Sequence, residues 1–544
     1  MSTVAAGGPK KTGGWLGTIE RIGNKVPHPV LMFLYLIIGV IVLSAILDWA
    51  NVSVTEQIAV PVAQETDLSF YEDSTEAQEL LPAEPYDTDF EIQEQTIAIR
   101  SLLTVDGIRF IFTSFVSNFA GFSVVAVVFI AMMGAGVAEE AGLMAALIRK
   151  LVAVSPRWLL SFIIIFVGVL SSVATDAGYL ILIPLGAAAF LSVKRHPLAG
   201  VAAAYGGVSA IFAVNILVTP LDAMLTEITN EAAALGGGAP LTLISNFYFQ
   251  IASSFILSVV AALITDRIIE PRLGVYEAAQ TEAGDAAAHD ATGEGRGMRY
   301  AGLAVLGYVV FILLLTLPSG APLRDPETGA IIGATPFMDA LLFIITILFL
   351  IAGIAYGRGA KTLTTANQVI AAVTKTFSGL AGLVFMLLMI SQFIAYFNFS
   401  NMPNVIAVAL AGFLEQANIS AIPLLIGFMV VIMLLDIIIP GSMPKWAIFA
   451  PIFVPLFMRL GTAPQTVLAA YRVGDSPMNV ITPLMVYLPF ILTVAQRYQK
   501  DTGIGTIIAL MLPYTLILAV AWIILFVLWY VLGIPLGPGY PVGV

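Results

Sequence analysis

No cysteine occurs in the 544 residues, so disulfides and thiolate chemistry are excluded, and cysteine usage says nothing about redox compartment. Only three histidines are present, none in a His-x-x-x-His or Glu-x-x-His pairing, which argues against a transition-metal site of the zinc or di-iron kind. Charge is scarce too: Asp, Glu, Lys and Arg make up 11% of the chain, where a soluble domain carries about 25%. The 24 basic residues are outnumbered by 35 acidic ones and form no patch of the kind that nucleic acid requires. With no recognisable nucleophile–base arrangement either, the chain does not read as an enzyme, and it calls for no cofactor.

What is abundant is apolar. Hydrophobic residues are 59% of the sequence and mean hydropathy is +0.95. Apolar runs recur at roughly the twenty-residue length with which a helix crosses the hydrocarbon of a bilayer. The expected fold class is therefore an all-α polytopic membrane protein, built from long helices and not from barrel strands.

The first run, 29–47, follows Lys10, Lys11, Arg21 and Lys25 and leads directly into Asp48. It lies too far from the start for a cleaved signal peptide and reads as a retained helix. Between Trp49 and Ile99 there is no Lys or Arg, while acids such as Glu56, Asp73 and Glu94 recur. The positive-inside tendency then puts 1–28 in the cytoplasm and the loop 48–102 outside. Further runs over 103–133, 158–173, 177–193, 198–217 and 249–266 complete a first membrane half, 29–272. Arg149, Lys150, Arg157, Lys194, Arg195, Arg267 and Arg272 fall at cytoplasmic ends only if one hairpin enters and leaves on the same side. Residues 134–156, rich in small side chains, are the candidate for it.

An acidic, alanine-rich cytoplasmic linker, 273–298, separates this half from a second one, 299–530. The second half holds runs at 300–317, 335–357, 379–397, 403–414, 421–439, 446–459, 478–496 and 505–530, with a second hairpin expected within 379–414. Its basic ends place the tail 531–544 outside. The halves also share a faint order. Ala177 through Pro184 to Phe190 runs parallel to Lys445 through Pro451 to Phe457, and Pro197 falls opposite Pro464. Asn215 with Thr219-Pro220-Leu221 then matches Asn479 with Thr482-Pro483-Leu484. Related halves with broken helices are a device by which secondary transporters place a site at the bilayer midplane.

Within these runs a few residues are chemically expensive. Asp176 sits in an apolar stretch, where a carboxylate must face protein, water or a cation unless it belongs to an outer loop. Asp436 opens a stretch that Pro440, Gly441 and Pro444 cannot continue as regular helix. Carbonyls freed there could bind a cation, and Trp446 could stack on an aromatic solute, the blander alternative being a kinked structural helix. The densest constellation runs through Pro464, Arg472, Asp475, Asn479 and Pro483. Arg472 and Asp475, three apart, would share a helix face, so they pair with each other or face a ligand. Arg472 offers a fork of donors to a substrate carboxylate. The ion-binding candidates are Asp176, Asp436, Asp475 and Asn479, for Na+ or H+. At the hairpins Glu139, Glu140, Asn398, Asn401 and Asn404 are candidates, with ordinary tip acids as the plainer reading of the two glutamates.

These residues carry a resemblance. Ser171-Ser172-x-x-x-Asp176-Ala177-Gly178-Tyr179, Lys445-Trp446-Ala447-Ile448 and Tyr471-Arg472-x-Gly474-Asp475-Ser476 resemble motifs of the AbgT family, the p-aminobenzoyl-glutamate transporters. The resemblance extends over nearly the whole chain. It implies a homodimer in the bacterial inner membrane, each protomer with about nine transmembrane helices, two re-entrant hairpins and an aqueous basin. It carries functional roles onto Asp176, Trp446, Pro464, Arg472, Asp475 and Pro483. It further implies an ion-coupled secondary transporter that moves p-aminobenzoyl-glutamate, or a related folate-pathway aromatic amine, with Na+ or H+ as the coupling ion. The alternatives are a proton-driven exporter of sulfonamide antimetabolites and a passive channel. Two positions depart from the family pattern: Asp436 stands where asparagine is expected, and Met443 where serine is expected.

Overall fold

The computed structural model describes residues 29–61, 90–153, 156–173, 178–276, 291–332, 335–416, 420–437, 441–482 and 485–543. Its first helix, α1 (Pro29–Trp49), is the retained helix read from the sequence. Two strands follow, β1 (Ser53–Pro61) and β2 (Phe90–Ala98), paired antiparallel with Ser53 opposite Ala98. This ribbon is a departure from the all-α expectation, and it has a physical reason. The segment has no long apolar run, so it stays out of the lipid, where a two-stranded ladder is free to leave one edge to water.

The rest of the first half is helical: α2 (Val105–Ala120), α3 (Val124–Glu140), α4 (Leu143–Ala153), α5 (Leu160–Leu170), α6 (Ile183–Ser192), α7 (Pro197–Tyr205), α8 (Pro220–Leu235) and α9 (Phe247–Ile264). The second half supplies α10 (Ala291–Thr316), α11 (Leu341–Ala360), α12 (Ala366–Gly379), α13 (Ala381–Phe399) and α14 (Met402–Gln416). It closes with α15 (Ala421–Asp436), α16 (Ser442–Arg459), α17 (Pro464–Asp475), α18 (Leu488–Tyr498) and α19 (Ile504–Val531). Among the described residues seven helical stretches, α2 and α3 together forming one, are long and apolar enough to cross a membrane, or up to eight if a bent pair counts as one span.

Local chemistry explains the boundaries that matter for the site. Pro197 and Pro464 each occupy the first turn of their helices, where the missing N–H is an orphan in any case and the fixed φ suits the helix. Thr219 and Asp222 form a capping box at the start of α8. Within both segments expected to hold hairpins, consecutive helices are separated at a residue of positive φ: Gly142, φ +87°, between α3 and α4, and Asn401, φ +60°, between α13 and α14. Small residues let the interior helices approach closely. A Cβ at Gly474 of α17 would lie 2.8 Å from the Met429 carbonyl oxygen of α15. Together with α16, which packs on α8, these helices bring the broken stretches of the two halves side by side.

Candidate transport site

The centre of the site is the interruption between α15 and α16. Helix α15 ends at Asp436, and α16 begins after Gly441, whose φ of +97° only glycine adopts without strain. Residues 438–440, Pro440 among them, lie outside the described residues. The Ile437 carbonyl, freed by the break, accepts a hydrogen bond from Thr482 Oγ1 at 3.0 Å.

Three ionisable side chains meet across this gap with no exposure to solvent. Lys445, one turn into α16, donates from Nζ to Asp436 Oδ1, and the same ammonium lies 2.6 Å from Asp475 Oδ1 of α17. Ser442 Oγ donates to the other oxygen of Asp475. Tyr471, one turn before Asp475, donates from its hydroxyl to the Ser442 carbonyl at 2.5 Å and sits 3.1 Å from Asp475 Oδ1. Burial of ions on this scale is tolerable only with such pairing and hydrogen bonding.

Arg472 makes a second buried pair. Its Nη1 donates to the Ala213 carbonyl at 2.8 Å and lies 2.8 Å from Asp222 Oδ1. The remaining oxygen of Asp222 accepts from the Thr219 N–H and hydroxyl, at 2.7 and 2.8 Å. Arg472 and Asp475 therefore do not pair with each other, contrary to one of the arrangements expected from their spacing. They share a helix, but each finds an opposite charge on a neighbouring element: α8 for the arginine, α16 for the aspartate. In both cases the pair ties α17 to a segment beside a helix break.

Trp446 is fully buried. Its ring stacks on Tyr471 with centroids 4.4 Å apart, and its Nε1 donates to Thr229 Oγ1 of α8 at 2.9 Å. Asn479 lies in the 3-10 turn after α17, with its Nδ2 3.4 Å from the Asp475 carbonyl and its own carbonyl accepting from the Tyr205 hydroxyl at 3.3 Å. Pro464 opens the same helix, away from the charged cluster by almost its whole length. Asp176 and Pro483 lie outside the described residues. Asn215 Nδ2 donates to Ser172 Oγ at 2.9 Å and to the Val169 carbonyl at 3.0 Å, at the end of α5.

Glu140 forms an ion pair with Lys375 of α12 at 2.7 Å, and the adjacent Glu139 also has a partner. Asn401 Nδ2 donates to the Ala98 carbonyl at 3.0 Å, fastening the α13–α14 turn to β2. Asn398 and Asn404 each hold a buried Oδ1 with no hydrogen-bond partner.

A cavity of about 310 Å³ opens beside the charged cluster, walled by Tyr179, Phe212, Met224, Met386, Ser442 and Met443, with Asn479 and Met485 further along. No charged side chain is among the described residues that line it. Ser442 belongs to both the cavity wall and the charged cluster, so it joins them directly. Two members of the cluster, Lys445 and Asp222, were not among the candidates read from the sequence. Lys445 was visible as a cation one helical turn past a helix break in an apolar run, where it needs an acid. Asp222 was disguised, because Thr219-Pro220-Leu221-Asp222 is an ordinary helix-start pattern.

Comparison with known proteins agrees with this geometry along the whole chain. Residues 14–544 match the model of the AbgT putative transporter family. The p-aminobenzoyl-glutamate transport protein of Escherichia coli (strain K12) is 34% identical over 544 residues, covering 99% of each chain. The crystal structure of the Alcanivorax borkumensis YdaH transporter superposes with a TM-score of 0.82 at 37% identity, over 94% of this chain and 100% of that one. The structure of Neisseria gonorrhoeae MtrF, from a class of antimetabolite efflux pumps, gives 0.84 at 34% identity, over 97% and 100%. The chain belongs to the AbgT family of membrane transporters, and is a transporter and not an enzyme.

Proposed function

We propose that this protein is an ion-coupled secondary transporter of the bacterial inner membrane that moves p-aminobenzoyl-glutamate or a related folate-pathway aromatic amine. The observation that carries this reading is the contact between the apolar, methionine- and tyrosine-walled cavity and the buried Asp475 cluster, made through Ser442. An aromatic ring fits such a wall, since thioethers and rings pack well together. A charge cluster one side chain away can respond to an ion and alter the cavity. Asp475 and Asp436 are the groups through which the ion acts, Arg472 holds α17 to α8, and Trp446 backs Tyr471 behind the site. Asp176, Asn479, Pro464 and Pro483 belong to the same transport core through the segments that flank it.

The wider architecture follows the same reading: nine spans and two re-entrant hairpins, at 134–156 and 379–414, in two related halves. Support for the duplication comes from the matched prolines, Pro197 and Pro464, each of which opens a helix, α7 and α17. The N-terminus lies in the cytoplasm, the C-terminus outside, and the protein works as a homodimer.

A second reading has an observation of its own. Among the described residues the two cations near the cavity, Lys445 and Arg472, are buried and already paired with carboxylates. A cavity without a free cation suits a neutral aromatic amine better than a dicarboxylate, which favours export of sulfonamide antimetabolites. Saturable counterflow separates the possibilities: proteoliposomes preloaded with unlabelled solute are presented with labelled p-aminobenzoyl-glutamate or a labelled sulfonamide. Transient uptake above equilibrium identifies a carrier and its solute. Flux that rises linearly with concentration and shows no counterflow would identify a passive channel and end the transporter reading.

A further inference from the structure

The buried cluster does not balance. Among the described residues Asp222, Asp436 and Asp475 supply three carboxylates, and Lys445 and Arg472 two cations. Asp222 and Arg472 neutralise one another, which leaves one ammonium between two carboxylates. Of the four oxygens on those two carboxylates, Asp436 Oδ2 is fully buried and without a hydrogen-bond partner. The residue itself has no solvent exposure. An excess negative charge at bilayer depth is costly, and an orphaned carboxylate oxygen is where the cost falls.

From this geometry we propose that Asp436 carries the coupling proton and that Lys445 is the tethered cation that makes the site proton-specific. The inference deepens the transporter reading and rests on it. The Lys445 ammonium occupies the space between the two carboxylates that a free alkali cation would need. A proton entering on Asp436 Oδ2 converts that group to a neutral acid and leaves Lys445 to pair with Asp475 alone. Loss of the proton returns the ammonium to both carboxylates. Lys445 and Ser442 lie on the same first turn of α16, and Ser442 and Met443 form part of the cavity wall. Movement of the ammonium towards either carboxylate is thereby felt by the bound solute.

Among the described residues the titratable groups that face Asp436 are few. Lys445 approaches from α16, and Asp475 and the Tyr471 hydroxyl from α17. The Tyr205 hydroxyl of α7 lies within electrostatic range. Tyr205 and Tyr471 already donate to the backbone carbonyls of Asn479 and Ser442, so neither is placed to serve Oδ2.

The test uses the full-length protein in proteoliposomes, with labelled p-aminobenzoyl-glutamate or, if that is the solute moved, a labelled sulfonamide. Asp436→Asn has the shape of the protonated acid and cannot release a proton. In the wild type an imposed gradient of one pH unit sustains up to about tenfold accumulation at one proton per solute, and a Na+ gradient adds nothing. Asp436→Asn should still exchange internal for external solute, while its proton-driven accumulation falls to the level seen without a gradient. Asp436→Glu, which keeps the ionisable group, should retain accumulation with a displaced pH midpoint, and it decides the matter if the asparagine variant does not fold. Proton-driven accumulation by Asp436→Asn, an unmoved pH profile in Asp436→Glu, or Na+-driven accumulation by the wild type would each overturn the proposal. Absence of any exchange by the wild type would instead overturn the transporter reading itself.

Discussion

Among the described residues the Arg472 guanidinium has one ionic partner, Asp222, and it has almost no exposure. Removing one member of a buried pair strands the other, at a cost of roughly 3–5 kcal/mol. Asp222→Ala should therefore lower the thermal unfolding midpoint in detergent sharply. Replacing both residues by apolar ones, Asp222→Leu with Arg472→Met, should recover much of the loss. Additive effects of the two single changes would show that the pair is not the unit. Trp446 separates packing from hydrogen bonding. Trp446→Phe keeps a ring against Tyr471 and gives up the bond to Thr229, about 1 kcal/mol, and the volume of the second ring. Trp446→Ala also empties the space and should cost about 3–5 kcal/mol. At this scale the sequence was legible in part. Asp436, Asp475 and Arg472 stand out because ions in apolar runs are expensive, but their partners were hidden. Pairing depends on which helices adjoin, and a spacing of three within α17 suggested a local partner where each charge has a distant one.

Helices in the site meet through small residues, and this gives the elements their own test. A Cβ at Gly474 would press on the Met429 carbonyl and on Ile432 of α15, whereas one at Gly427, on α15 itself, would meet nothing within 4 Å. Gly474→Ala should thus destabilise by about 1–3 kcal/mol through overpacking, while Gly427→Ala should be neutral or slightly stabilising through helix propensity. Unfolding midpoints of the two variants, measured in one detergent, compare them directly; equal effects would mean that α15 and α17 are not in close contact. Many elements could be read beforehand for stated reasons. Pro197 and Pro464 announce helix starts, and the proline–glycine stretch after Asp436 announces the break. Gly142 and Asn401, the positive-φ residues between consecutive helices, fall within the two segments expected to hold hairpins. The β1–β2 ribbon could not be read, since its acids hide the alternation of its strands and its pairing joins segments about forty residues apart, as Thr55 opposite Thr96 shows.

For the whole molecule the cluster has a mechanical meaning. Alternating access requires two arrangements of packed helices that the ion and the solute stabilise differently. Asp436 on α15, Lys445 on α16 and Asp475 on α17 form one chain of contacts across three helices, and Ser442 extends it to the cavity. Asp475 is the member that touches both Lys445 and Ser442, so under the proposed function it is the residue whose charge the cycle most needs. The direct measurement is initial-rate flux of labelled p-aminobenzoyl-glutamate, and of a labelled sulfonamide, in proteoliposomes with Na+ and H+ gradients imposed independently, alongside Asp475→Asn. Flux of one solute that follows one imposed gradient and is lost in Asp475→Asn is the result expected of an ion-coupled transporter. Flux that continues at the same rate with both gradients collapsed, or that survives in Asp475→Asn with its gradient dependence intact, would contradict it.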